Sequence, residues 1–180
     1  MKTEHHVRYR TVSLIVMIAL LAIFTFGGCF RYSFSGAMTG DIKTLAIPLF
    51  DNRTAEYGVV ESITDELILK FQQDNTLMIV DEGEADAVLF GTLIRVIDEP
   101  YTYSGEEEAS SYSVGEYKLT LVVHIDYFNR RKDENIWSQE VKAWGTYDHS
   151  TGAPEERDAG FSSAIVKLSE DVLNLTVSGW

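Results

Sequence analysis

The sequence predicts an α+β fold: a two-layer sandwich with two helices packed on one face of a mixed, mainly antiparallel sheet of four to five strands. Three observations carry this. Tyr57–Gln73 repeats apolar residues every three or four positions, at Val60, Ile63, Leu67 and Phe71, which makes one buried stripe on a helix. Phe161, Ile165, Leu168, Val172 and Leu175 repeat the pattern near the end of the chain. Glu116–Phe128 instead alternates, with Tyr117, Leu119, Leu121, Val123, Ile125 and Tyr127 on one side and Lys118, Thr120, Val122, His124, Asp126 and Phe128 on the other. A sheet with one strongly apolar side collects both helices on that side.

The remaining elements follow in order. Asp41–Phe50 reads as a strand, ended or placed at an edge by Pro48, and Asp51-Asn52-Arg53-Thr54 as a turn. Asp74-Asn75 closes the first helix, because asparagine tolerates the left-handed conformation beyond a helix end. Thr76–Val80 is a short strand and Asp81–Asp86 an acidic, solvated loop. Ala87–Ile97 is apolar and β-branched, and Gly91 within it marks a bulge or a close approach. Tyr101–Gly115, with three consecutive glutamates at Glu106-Glu107-Glu108, reads as an exposed loop. Asn129–Asn135 is a charged turn and Ile136–Thr146 the return strand of a hairpin. Pro154, Glu155 and Glu156 suit the first turn of the last helix.

The amino terminus carries a separate signal. Lys2, Arg8 and Arg10 precede an apolar run, Val12–Phe26, and then Phe26-Gly27-Gly28-Cys29. A basic segment, a hydrophobic segment and small residues at a cut site form a secretory leader. The run to Gly28 is shorter than the roughly 20 apolar residues of a spanning helix. Residues 1–28 are therefore expected to be a signal peptide and 29–40 a tether. Residues 41–180 are expected to form a single domain. Cys29 is the only cysteine, so no disulfide can form within one chain. Its place after the small residues resembles the lipobox of bacterial lipoproteins, which implies lipidation at Cys29 and attachment to a membrane. Phe30, where an aspartate commonly retains such proteins at the inner membrane, points by analogy to the outer membrane.

Charge excludes one class of partner. Removing residues 1–28 turns 15 Lys+Arg and 28 Asp+Glu into 12 and 27, a net charge of −15. Such a surface repels nucleic acid at long range. Enzyme signatures are missing: there is no P-loop, no G-x-S-x-G elbow and no H-E-x-x-H. His124 and His149 are isolated, and the acidic residues Asp81, Glu82, Glu84 and Asp86 lack calcium-loop spacing, so no metal or cofactor is expected. Against the acidic background, Arg130, Arg131 and Lys132 are consecutive at a hairpin tip. They are either a solubilising turn or a contact for phosphate, which arginine binds as a bidentate fork. Lys118 and Lys142, on adjacent strands, extend that patch if the register turns them the same way.

Several segments in order resemble the LptE family, outer-membrane lipoproteins of lipopolysaccharide assembly. They are Cys29-Phe30-Arg31-Tyr32-Ser33-Phe34-Ser35-Gly36, Ile42 to Thr54, Val80-Asp81 with Glu84 to Leu93, Glu116 to Leu121, and Ile136-Trp137. Phe30-Arg31 departs from the single glycine common before the tyrosine. The resemblance implies a non-catalytic plug and one-to-one assembly partner inside the LptD β-barrel, on the periplasmic side of the cell outer membrane, engaging lipopolysaccharide. A barrel lumen is polar, which suits a charged plug. The Leu45–Phe50 strand and Asn52-Arg53-Thr54 turn also occur in periplasmic lipoproteins of a self-assembling secretion-channel type, the alternative reading.

Overall fold

The computed structural model describes residues 42–104, 113–148 and 154–177. Within them the elements are β1 (Thr44–Ala46), β2 (Asp51–Asn52), α1 (Val59–Asp74), β3 (Met78–Ile79), β4 (Ala87–Ser104), β5 (Ser113–Asn129), β6 (Glu134–Asp148) and α2 (Pro154–Val177). The leader, Cys29, the tether to Gly40, Glu106–Glu108 and His149 lie outside the described residues.

The strands form one sheet in the order β3-β1-β4-β5-β6, with β2 beside β4. The three long strands are an antiparallel meander, and the three short ones pair in parallel. The predicted alternation of β5 holds. Leu119, Leu121, Val123, Ile125 and Tyr127 are fully buried in one core with Ile63, Leu67 and Phe71 of α1 and Ala164, Leu168 and Val172 of α2. Both helices therefore cover the same side of the sheet.

The departures from expectation have local causes. Asp51-Asn52, expected as a turn, pairs with Thr92-Leu93 as a sixth strand, and the chain turns only after it, where Asn52 Oδ1 accepts from the Thr54 N–H at 2.8 Å. Residues 101–104 and 113–115, expected in a loop, are strand, because the aromatic side chain of Tyr101 and the β-branched one of Thr102 favour pairing. Leu175 is 37% exposed. Thr176, four residues after Val172, takes the buried position instead, its hydroxyl donating to the Val172 carbonyl at 2.8 Å.

The irregularity expected at Gly91 divides into two features. A Cβ on Gly91 would lie 2.1 Å from the Phe50 ring, so the glycine admits an aromatic side chain over the strand. Phe50 is held there by its N–H donating to the buried Thr64 hydroxyl at 3.2 Å. The bulge itself falls between Leu93 and Arg95. It inserts Ile94 and reverses the alternation of β4: Leu89 and Leu93 face the core before it, and Val96 packs on the core after it. Arg95, Ile97 and Glu99 consequently turn to the face away from the helices.

Asn75 adopts φ 59° and donates its N–H to the Phe71 carbonyl at 3.0 Å, the helix end its residue type predicts.

Candidate functional site

The β5–β6 hairpin turns at residues 130–133, so Arg130, Arg131 and Lys132 do occupy its tip. Asn129 shapes the turn: its side-chain oxygen accepts the N–H groups of Arg131 at 2.9 Å and Lys132 at 3.1 Å. Two of the three cations are turned inward to the 81–86 loop. Arg130 donates to the carbonyl oxygens of Glu82 and Ala85. Arg131 is 2.5 Å from the Asp86 carboxylate. Of the three, only the Lys132 side chain makes neither an ion pair nor a hydrogen bond among the described residues.

Asp86 corrects the picture of a solvated acidic loop. It is buried and accepts the N–H groups of Lys43 at 2.8 Å and Thr44 at 3.1 Å, while its own N–H donates to the Thr44 hydroxyl at 2.8 Å. The Lys43 hydrogen bond first, then those of Thr44 and the Arg131 charge, hold its carboxyl below the ordinary 3.8 against the opposing effect of burial. Asp86 thus joins the start of β1, the start of β4 and the hairpin tip. His124 sits on the outer face, 3.3 Å from Ser138 Oγ and 3.4 Å from Asp126, a hydrogen-bonded surface imidazole. Among the described residues no group of three or more His, Cys, Asp and Glu could hold a metal ion.

Lys118 and Lys142 do face the same way, but not with the tip. Lys118 lies twelve positions before Arg130 on an extended strand, about 40 Å at roughly 3.3 Å per residue. The register places them in cross-strand rows on the sheet face away from the helices: Arg95–Val122–Lys142, Ile97–Thr120–Trp144 and Glu99–Lys118–Thr146. Lys118 pairs with Glu99 at 2.8 Å. Trp144, 40% exposed, is the hub. Lys167 from α2 lies 4.3 Å from its ring centroid, Lys118 6.0 Å and the Tyr101 ring 6.1 Å. Ile97 and Tyr101 beside it are 39% and 51% exposed.

The result is a patch of four cations, Arg95, Lys118, Lys142 and Lys167, around exposed aromatic and aliphatic side chains. It offers positive charge and apolar surface together, which fits an anionic amphiphile. Sequence reasoning found two of its members. The signal for Arg95 was the adjacent apolar pair Leu93-Ile94, where alternation breaks. Lys167 and Trp144 carry no local mark, because the contact between them joins a helix to a sheet edge.

A second cluster is structural. Arg157 of α2 forms a two-bond fork with Glu56 at 2.9 and 2.7 Å and also donates to Asp98 at 2.8 and 3.0 Å. Its guanidinium lies 4.7 Å over the Phe161 ring. Tyr147 donates to the other oxygen of Asp98 at 3.2 Å. The Arg157 hydrogen bond holds the Glu56 carboxyl below 4.5, and the same contacts raise the already high pKa of the arginine. The cluster ties α2 to β4, β6 and the segment before α1.

The model of the LptE family, described as lipopolysaccharide-assembly, matches residues 42–176. The chain belongs to the LptE family. The match runs from β1 almost to the end of α2, so it covers the sheet with its cationic face and both helices. No curated protein matches the sequence. Among solved structures, a protein of Xanthomonas campestris superposes with a TM-score of 0.56 at 10% identity, over 77% of this chain and 88% of that one. A hypothetical protein of Chlamydia trachomatis superposes with a TM-score of 0.52 at 11% identity, over 77% and 97%. At such identities the likeness is one of fold. Among the described residues the fold is thus two helices on one face of a sheet, with the cationic patch on the other.

Proposed function

We propose that this LptE-family protein is an acylated lipoprotein, anchored through Cys29 on the periplasmic side of the outer membrane. There it partners the LptD barrel one-to-one and engages lipopolysaccharide. The observation that carries the reading is the family match over 42–176. A leader ending at Gly28-Cys29 supports the anchor, and two or more acyl chains at one thiol give firm attachment. Its acidic surface supports residence in a polar lumen.

The role asks for binding and positioning, with no bond made or broken in the glycolipid. The contact is assigned to the outer sheet face, with Lys118 and Lys142 joined by Arg95 and Lys167. These cations meet phosphate while Trp144, Tyr101 and Ile97 meet acyl carbon. Of the hairpin-tip triplet, Lys132 is the member left to contribute, since Arg130 and Arg131 are bonded to the 81–86 loop.

The decisive experiment is affinity purification of the tagged, membrane-extracted protein from its host. Recovery of the barrel in equimolar amount is expected, with light scattering giving a one-to-one mass. A homo-oligomeric ring without a barrel would overturn the reading in favour of a secretion-channel subunit.

A further inference from the structure

We propose that the groove between α1 and α2 docks an amphipathic, basic helix of a partner protein. The two helices lie side by side and run the same way. Arg157 of α2 meets Glu56, just before α1, and Lys70 of α1 meets Glu170 of α2 at 3.0 Å. At 1.5 Å per residue these two contacts are about 20 Å apart along the helices, and the groove, of about 540 Å³, opens between them. Its floor is apolar, with Val59 and Ile165 buried in the core beneath. Ser62 and Ser162 turn their hydroxyls back onto the Gly58 and Asp158 carbonyls at 3.0 and 2.9 Å. Small side chains engaged with their own helices leave room for bulky ones from a third helix, which packs at about 8–10 Å. Val166 on the rim is 40% exposed, and Tyr57, at the head of the groove, is 96% exposed. A large aromatic side chain at the mouth of an apolar groove is the residue type that dominates binding energy at interfaces.

Charge selects the occupant. Glu66 and Asp158 line the groove, and the one cation lining it among the described residues, Arg157, is already bonded to Glu56 and Asp98. Glu66 has only the 3.9 Å approach of Lys70, whose nearer partner is Glu170. The surrounding surface has the same sign: α1 carries four Asp+Glu to one Lys, and α2 five Asp+Glu to two Lys+Arg. A helix whose apolar stripe is flanked by Lys or Arg complements both the floor and the rim, as an amphipathic helix does in a hydrophobic groove. A second copy of this chain would set two acidic helix layers against each other, and an anionic lipid surface is repelled in the same way. The docking goes beyond the barrel reading and can fail without it.

The test is photo-cross-linking in intact host cells, with benzoylphenylalanine in place of Tyr57, of Val166 or, as the control, of Lys132 at the hairpin tip, and the captured peptide sequenced. Positions 57 and 166 are expected to capture one segment of one protein, at residues about two helical turns apart and flanked by Lys or Arg. Position 132 is expected not to capture it. Glu66→Lys with Asp158→Lys is expected to lower the yield at position 57 about tenfold or more, the loss of two charge-assisted contacts. Exchanging the segment's own Lys and Arg for Glu should then restore it, which separates a lost contact from a damaged fold. Absence of capture at 57 and 166 overturns the proposal, as does an unchanged or unrestored yield. So does capture of lipid, of a second copy of this chain, or of a segment without helical spacing. Capture of a barrel strand at alternate residues overturns the helix and leaves the barrel reading standing.

Discussion

Asp86 shows how one side chain can organise the end of a sheet. Its carboxylate accepts two backbone N–H groups and the Arg131 guanidinium, so ionised Asp86 is favoured in the native state and its pKa lies below the ordinary 3.8. The stability it contributes is therefore complete above that value and is lost as pH falls through the native one, since the unfolded chain takes up the proton first. Asp86→Asn keeps the shape, removes the charge and puts an amide where one carboxylate oxygen accepted. It is expected to cost about 1–3 kcal/mol at pH 7. Urea midpoints for the two proteins should draw together below pH 4. The variant's acid limb should be shallower but not flat, because Glu56, held below 4.5 by Arg157, still titrates there. Parallel curves from pH 7 to pH 3 would refute this account of Asp86.

At the scale of elements, a close backbone approach joins α2 to β6. A Cβ at Gly145 would stand 2.3 Å from the Gly160 carbonyl oxygen, 2.7 Å from Ser163 Cβ and 2.9 Å from the Ala164 nitrogen. Two of these are backbone atoms that cannot rotate away, so Gly145→Ala must lift the helix. A cost of about 1–3 kcal/mol is expected, read as a lowered thermal midpoint, whereas Gly83→Ala, with nothing within 4 Å of its Cβ, should leave the midpoint unchanged. Contacts of this kind explain what was legible in the sequence. Helix α1 and strand β5 announce themselves because each repeats one period long enough to define a face. Of the short strands, β1 and β3 fall inside the expected Asp41–Phe50 and Thr76–Val80, whereas β2 does not announce itself, since its two residues become strand only through pairing with β4. Arg157 finds Glu56 and Asp98, 101 and 59 positions away, and no local pattern encodes such a meeting. The outer-face patch was half legible. Lys118 and Lys142 were expected to extend the hairpin-tip patch, but their shared face, away from the tip, needed the register. Arg95 needed the bulge at Ile94, and Trp144 and Lys167 needed the packing of α2 on the sheet edge.

For the whole molecule, the proposed binding of an anionic glycolipid by an acidic chain sets two electrostatic effects against each other. The net charge of −13 repels such a ligand at distances within the Debye length, about 10 Å at 0.1 M salt. The four cations around Trp144 attract it at contact. Salt weakens both, but a side chain in direct contact is screened least. Reversing two of the four, Lys118→Glu with Lys142→Glu, is therefore expected to weaken lipopolysaccharide binding by about tenfold or more at 20 mM salt, from the loss of two charge-assisted contacts. The deficit should shrink, without vanishing, at 0.5 M. Lys142 is exposed and Lys118 bonds only to a surface glutamate across the strand, so the double variant should unfold within a few degrees of the parent. The hairpin tip gives the contrast. Reversing Arg130 and Arg131 removes the bonds to Glu82, Ala85 and Asp86, and the expected result is a lower thermal midpoint with glycolipid affinity largely kept. Lys132→Glu alone separates the two surfaces without disturbing the fold. Binding lost with Lys132→Glu but kept with Lys118→Glu and Lys142→Glu would move the contact back to the tip.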